Sequence, residues 1–300
     1  MGTPLQYIKN SNRETQVALG AFSTLYVVSL LIRLFFGPLD ALIYLGIDIG
    51  LGSLILLTWW WSRKRDEPEP TISHPFMELA LGLLLFNALG QTVPNIPIDE
   101  WKIGLILRKN LIYVVSICVF ISFRKSILWN VRTSLRNLRK DIVLALIVFV
   151  GLMIPSAFYS GTAQGLMSGK FQWSWVPTLF AVGFLFQVLL TALPEEFLYR
   201  GFVQSRLSSG LRSEWGGLLI ASMYFGLVHT YGNLRWGYGE NLADALAESV
   251  FIQAFFGMLF GMLYMRTKSL VPGIIVHAAL NALNNFADTA QRLGMIVSQN

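Results

Sequence analysis

The sequence has few charged residues and a single cysteine. Charged residues make up 13% of the 300 residues, whereas a soluble domain usually has about 25%. The one cysteine, Cys118, excludes a disulfide framework and a cysteine-based metal site. The first fifteen residues are polar, so no cleavable signal peptide is expected. These absences exclude a disulfide-rich secreted scaffold and argue against a soluble enzyme.

Most of the sequence consists of long apolar runs. Hydrophobic residues make up 54% of the chain, and the mean hydropathy is +0.55. The runs are continuous rather than short and alternating, which predicts an all-α polytopic membrane protein and not a β-barrel. The sequence predicts nine transmembrane helices, with eight as the alternative. They lie at about 17–37, 41–61, 76–93, 103–123, 141–159, 173–193, 215–231, 246–265 and 270–288.

The positive residues predict how the chain is oriented. With the N-terminus in the cytoplasm, sixteen Lys and Arg residues fall in inner segments and four in outer ones. This ratio favours nine spans and a multi-pass protein of the cell membrane with a cytoplasmic N-terminus. The net charge of +6 is then explained by the inner loops, and no nucleic-acid partner is expected.

A basic stretch at 124–140 carries apolar residues at near-helical spacing. One interpretation is an amphipathic helix on the inner membrane surface that binds anionic lipids. A solvated basic connector explains the same pattern equally well. Arg108 and Lys109 interrupt the fourth run and are interpreted as marking a misplaced helix boundary, while Arg33 is expected to reach outward to the interface.

One charged stretch, Pro194-Glu-Glu-Phe-Leu-Tyr-Arg-Gly201, follows an apolar run without charge. A charge at a bilayer centre costs about 2.5–3.5 kcal/mol on insertion scales, so ionisable residues there indicate function. The two carboxylates could also simply begin a helix after Pro194, where they suit the helix dipole. That reading leaves Arg200 unexplained. The end of this helix is open: it lies near Leu193, or the helix continues through Pro194 to about Leu207.

Two later patterns each place a histidine four residues from a partner on one helix face. These are Phe225-x-x-x-His229 and His277-x-x-x-Asn281. A lone histidine in such surroundings is usually a packing residue, but two of them near the carboxylates favour a site. Gly257-x-x-x-Gly261 fits close helix packing and is weak on its own.

A carboxylate, two imidazoles and an amide suffice to hydrolyse a peptide bond. Burial makes Glu195 a better base, and a neutral His229 would hold the same water. His277 and Asn281 would donate hydrogen bonds to the developing oxyanion. Arg200 is expected to pair with Glu196.

A metal site is the alternative from the same residues. Glu195, His229 and His277 form a possible two-histidine, one-glutamate zinc set, and spacing alone does not choose between the two mechanisms.

The three motifs, in this order, resemble the CPBP family of CAAX-processing and bacteriocin-processing intramembrane endopeptidases, which includes the Rce1-type prenyl proteases. The resemblance covers roughly residues 140–290. It implies an α-helical membrane fold around a polar catalytic cavity, with Glu195 and His229 activating water, His277 and Asn281 at the oxyanion, and Glu196, Arg200 and Phe225 supporting them. Residues 1–140 would be a variable transmembrane region with the basic connector, 141–290 the catalytic core, and 291–300 a tail.

The expected function is therefore peptide-bond hydrolysis by a Glu- and His-activated water, on a peptide or a prenylated or membrane-associated protein. A glutamate-type mechanism without cofactor is favoured, with zinc as the alternative. Two other hypotheses stay open: a non-catalytic immunity or scaffold protein of the same family, and a transporter. The transporter is disfavoured because the polar groups cluster in one third of the chain without repeat symmetry.

Overall fold

The computed structural model describes residues 12–36, 38–62, 65, 72–93, 103–115, 135–159, 161–169, 171–236 and 241–295. Within these ranges the chain is helical and contains no β-strand. Three helices are long and apolar enough to cross a membrane, at Arg13–Phe35, Trp173–Gly210 and Leu242–Thr267. The chain is therefore an all-α membrane protein. The count of eight or nine spans stays a prediction.

The described helices range in length from 7 to 38 residues. They are α1 (Arg13–Phe36), α2 (Pro38–Trp61), α3 (Pro75–Thr92), α4 (Ile103–Asn110), α5 (Leu138–Tyr159), α6 (Gly161–Met167), α7 (Trp173–Gly210), α8 (Glu214–Leu227), α9 (Thr230–Trp236), α10 (Leu242–Thr267), α11 (Val271–Asn284) and α12 (Phe286–Arg292). Residues 124–134 of the basic stretch lie outside the described residues, so the lipid-binding role of 124–140 stays a prediction.

Local sequence explains several helix starts. Proline occupies the first turn of α2, α3 and α11, where its missing N–H has no intrahelical partner to lose. Ser213 caps α8 by accepting a hydrogen bond from the Gly216 amide, and Asn241 caps α10 in the same way from Asp244. These caps fix where α8 and α10 begin.

Helix α7 is the longest, and it passes through Pro194 without ending. Its 38 residues include two π-helical turns, Val188–Ala192 and Phe197–Gln204, on either side of Leu193–Glu196. A proline inside a regular α-helix clashes with the carbonyl one turn earlier, and a widened turn accommodates it. Of the two sequence alternatives, the continuous helix is confirmed.

The described residues divide into two compact units. The first comprises Met1–Ala80 and Tyr199–Thr267, and the second comprises Leu81–Leu198 and Lys268–Asn300. The division of the chain at residues 140 and 290 stays a prediction.

In the first unit, α10 packs against α2 and α8, and α1 packs against α8. Three glycines permit these close approaches. A Cβ on Gly226 would lie 2.7 Å from the Ser249 carbonyl oxygen, and one on Gly257 would lie 3.2 Å from Ser222 backbone atoms. Gly261 allows a comparable approach to Leu218 and Gln204. The weak small-residue pattern is thus a real packing contact.

Arg33 in the same unit is buried, which corrects the expectation that it reaches outward. Its guanidinium lies 3.0 Å from Asp244 Oδ1 and also binds Glu248. The interpretation failed because α10 begins with two acids that stand one turn apart beside α1. Arg33 therefore pairs with two buried carboxylates, which offset the cost of burying its charge, instead of extending its side chain to the membrane interface.

In the second unit, α11 packs against α5 and against the Val176–Ala192 part of α7, while α12 packs against α6 and α7. An apolar cluster fills the centre of this packing, with Leu166, Phe171, Leu179, Phe286 and Ala290 buried together. Large apolar side chains such as Leu185 and Leu189 stay exposed on α7. Lipid tails are as apolar as leucine, so such exposure is expected in a membrane protein.

Candidate active site

Glu195 and Glu196 lie in the short α-helical piece of α7 between its two π-helical turns. Both side chains are buried, with 6% and 1% of their surface exposed. Two adjacent carboxylates at this depth need charged or hydrogen-bonding partners, since an isolated buried carboxylate is very costly. The described partners come from α11 and α4.

His277 on α11 supplies the first partner. Its Nδ1 lies 3.0 Å from Glu196 Oε1, and its Nε2 lies 3.8 Å from Glu195 Oε2. The first distance is a hydrogen bond, and the second is longer than one. The structure therefore brings together Glu195, Glu196 and His277, as the sequence predicted, although residue 277 is more than eighty positions away.

A glycine makes this approach possible. Gly273 lies one turn before His277 on α11, and a Cβ there would stand 2.8 Å from Glu196 Oε2. Any larger residue would push the carboxylate away from the imidazole. Asn281 lies one turn after His277 on the same helix and is half-buried, so its place on that face fits the prediction.

The Glu196 contact fixes which nitrogen of His277 carries the proton. A carboxylate accepts hydrogen bonds, so Nδ1 must donate. The neutral ring then has its lone pair on Nε2, the nitrogen nearer Glu195. To donate from Nε2 as well, the ring must carry both protons, and Glu196 supplies the countercharge for that cation.

Lys109 is a site residue that the sequence interpretation missed. Its Nζ lies 2.6 Å from Glu195 Oε1, and its side chain is 20% exposed. Arg108 and Lys109 do not begin a helix: they lie in the last turn of α4, which a π-helical turn at Leu111–Val115 follows. Arg108 Nη2 donates to the Gly90 carbonyl at 2.9 Å. The available signal was a lysine inside an apolar run, which indicates a buried carboxylate partner.

The first unit holds the other three predicted residues. Arg200 is 2% exposed, stacks over the Phe225 ring at 4.5 Å and donates from Nη2 to the Gly257 carbonyl at 3.1 Å. The Phe225 ring contacts the His229 ring with centroids 4.7 Å apart. The structure thus brings together Arg200, Phe225 and His229. The predicted ion pair between Arg200 and Glu196 stays a prediction.

His229 lies in the turn after α8, not inside the seventh span as expected, because α8 ends at Leu227. Its Nδ1 lies 2.6 Å from the Phe225 carbonyl oxygen. A carbonyl can only accept, so Nδ1 carries the proton and the neutral ring has its lone pair on Nε2. That tautomer can accept a hydrogen bond from water, as a general base requires.

Among the described residues, no group of three or more His, Cys, Asp or Glu side chains is arranged to hold a metal ion. The zinc alternative with Glu195, His229 and His277 stays a prediction, and the chelator experiment below tests it.

Residues 177–283 match a family model described as type II CAAX prenyl endopeptidase, Rce1-like. The range contains all seven residues that the three motifs contribute. No curated protein and no solved structure matches the chain. The matched family is one of membrane proteases that act in CAAX processing. The match confirms the resemblance to the Rce1-like family over residues 177–283.

Proposed function

We propose that this chain is an intramembrane endopeptidase that hydrolyses a peptide bond with a water molecule activated by Glu195. The observation that carries the proposal is the buried trio of Glu195, Glu196 and His277, within the segment that matches the protease family. Buried, partnered ionisable groups in a membrane helix are the pattern of a functional site.

The reaction begins with water beside the Glu195 carboxylate. Glu195 takes a proton from the water while the water oxygen attacks the carbonyl carbon of the scissile bond. The same proton then passes to the leaving nitrogen as the carbon–nitrogen bond breaks. His229, with its lone pair on Nε2, is proposed from the sequence motif to hold this water.

The oxyanion that forms on the carbonyl oxygen needs donors. His277 Nε2 and the Asn281 amide are the proposed donors, since both lie on one face of α11. Glu196 holds His277 by Nδ1 and balances the charge of the doubly protonated ring. The Arg200 guanidinium stacks on the Phe225 ring, and the Phe225 ring packs against the His229 ring, so Arg200 is proposed to support the position of His229.

The proposed substrate is a prenylated or otherwise membrane-associated protein or peptide. A prenyl chain partitions into lipid, with about 0.8 kcal/mol gained for each buried CH₂, and so delivers the adjacent peptide to a membrane enzyme. The cytoplasmic orientation of the N-terminus, and the affinity for anionic lipids, remain part of this proposal.

The test uses purified full-length protein in lipid vesicles and a farnesylated CAAX peptide as probe. Wild type should release the C-terminal tripeptide, while Glu195→Gln and His229→Ala should lower kcat by at least about 100-fold, the scale for general-base loss. Arg13→Met, on an exposed residue at the start of α1, is the control and should cleave normally. Equal cleavage by wild type and the Glu195 variant would refute the proposal.

A chelator distinguishes the two mechanisms. Glutamate-type hydrolysis should persist after dialysis against a zinc chelator. Loss of cleavage that added zinc restores would replace the metal-free mechanism by zinc held by Glu195, His229 and His277. Absence of cleavage across prenylated and unprenylated probes would favour a non-catalytic member of the family.

A further inference from the structure

We propose that Lys109, outside the family-matched segment, is a positioning residue for Glu195. The inference rests on the proposed function, because it assigns a role within the same site. Lys109 Nζ and Glu195 Oε1 are 2.6 Å apart, a charge-assisted hydrogen bond at the short end of the usual range. The match to the protease family begins at residue 177, so α4 brings a residue to the site from a part of the chain that the family model does not cover.

The backbone around Lys109 is held on both sides. Arg108 donates to the carbonyl oxygens of Gly90 and Val93, at the end of α3. The Asn110 side chain donates to the Leu189 carbonyl at 2.7 Å, in the π-helical turn just before Glu195. Two neighbours thus fix α4 against α3 and α7, and the residue between them faces the carboxylate.

An aromatic ring also guides the Lys109 side chain. Nζ lies 5.5 Å from the centroid of the Tyr113 ring, which stands one turn further along the chain. Tyr113 is itself held edge-to-face against Phe86 at 4.8 Å. A cation over such a ring is stabilised by the ring quadrupole, so the ammonium has two reasons to stay beside Glu195.

The ion pair orients the carboxylate. Lys109 binds Oε1, while Oε2 is the oxygen that faces His277 Nε2 at 3.8 Å. Holding one oxygen fixes the plane of the carboxylate and directs the other oxygen toward the catalytic histidine. The ammonium also balances one of the two adjacent buried negative charges of Glu195 and Glu196.

The direct test is cleavage of the farnesylated CAAX peptide by Lys109→Met and Lys109→Arg in vesicles. Lys109→Met keeps the length of the side chain but removes the charge. It should lower kcat by about 10–100-fold, the usual effect of losing a partner of a site residue, with KM nearly unchanged. Lys109→Arg keeps the charge and should recover most of the activity. Arg13→Met, which removes an exposed positive charge outside the site, is the control and should keep wild-type kcat.

Two results would overturn the inference. One is wild-type kcat in Lys109→Met, and the other is equal loss in the Met and Arg variants, since the positive charge would then not be what matters. Thermal unfolding of each variant in detergent separates a loss of fold from a loss of rate.

A second measurement needs no cleavage and keeps this inference distinct from the proposed function. An amine-reactive reagent, read out by mass spectrometry, should modify Lys109 faster in Glu195→Gln than in wild type, because Nζ then no longer donates its short hydrogen bond to a carboxylate. Lys140 serves as the internal reference. If no probe is cleaved but labelling changes as expected, the proposed function fails and the ion pair stands; unchanged labelling overturns the ion pair.

Discussion

At the residue scale, both site histidines are held by the same nitrogen. His229 Nδ1 binds a main-chain carbonyl, and His277 Nδ1 binds Glu196. Each partner only accepts, so each ring presents Nε2 as the nitrogen for chemistry. Glu196 therefore has a described task in holding His277, beside its predicted pairing with Arg200.

Replacing Glu196 by glutamine tests this task. The amide oxygen of Glu196→Gln can still accept from Nδ1, but it has no charge to balance a doubly protonated His277. We expect kcat to fall about tenfold or more. Cleavage of the farnesylated probe measures it.

Asp288→Asn is the matched control, since Asp288 is partly exposed and pairs with Arg292 on α12. It should leave cleavage unchanged. Full activity in Glu196→Gln would show that the charge of this carboxylate plays no part.

At the element scale, two devices bring helices to the site. The π-helical turns of α7 let Pro194 sit inside a continuous helix and set the direction of the two glutamates. Glycines then let helices approach where a side chain would intervene, at Gly273 in the second unit and at Gly261 in the first. Hydropathy indicated apolar helices at these places, and only the packing shows which glycines are needed.

Gly261→Ala should destabilise the contact of α10 with α8. The added Cβ would stand 2.5 Å from Leu218 Cδ1 on α8 and 2.8 Å from Gln204 Oε1 on α7, too close without a shift of these buried side chains. Overpacking of this kind costs about 1–3 kcal/mol. Thermal unfolding in detergent should show a lower Tm.

Gly52→Ala in α2 is the control, because nothing lies within 4 Å of its Cβ position. This change should be neutral or slightly stabilising, since alanine favours helix over glycine. An equal Tm for the Gly261 and Gly52 variants would contradict the packing argument.

At the scale of the whole molecule, charges far apart in sequence are paired. Arg33 binds Glu248 and Asp244, more than two hundred positions away, and Arg206 stands 3.5 Å from Glu78. These pairs lie within the first unit and join its N-terminal helices to its later ones. Buried ion pairs thus join helices that are distant in the sequence of this unit.

Arg33→Met should lower the stability of this unit strongly. It leaves Asp244 and Glu248 without the arginine that they share, and breaking a buried ion pair costs about 3–5 kcal/mol. Denaturant or thermal unfolding in detergent measures the loss.

The exposed Arg13, at the start of α1, gives the control Arg13→Met, which should have little effect. Adding Glu248→Gln to Arg33→Met should restore part of the stability by removing one unpaired charge. A Tm unchanged in Arg33→Met would show that the pair contributes nothing.

The sequence by itself indicated the helical membrane class and the resemblance that the family match over residues 177–283 confirms, and it proposed the candidate set Glu195, Glu196, Arg200, Phe225, His229, His277 and Asn281. It could do so because apolar runs, pairs of residues spaced four apart and isolated charges can each be recognised from a short stretch of sequence. It misjudged Lys109 and Arg33 for a related reason. Each is a charge in an apolar run, and such a charge demands a partner without saying which one.

Only the tertiary structure decided those partners. Lys109 meets Glu195 because α4 is tied to the turn before it, and His277 meets Glu196 because Gly273 leaves room. The structure also decided that α7 continues through Pro194, since widened turns absorb the missing hydrogen bond and the steric clash. Pairings over more than eighty residues depend on how helices pack, and no local pattern encodes that packing.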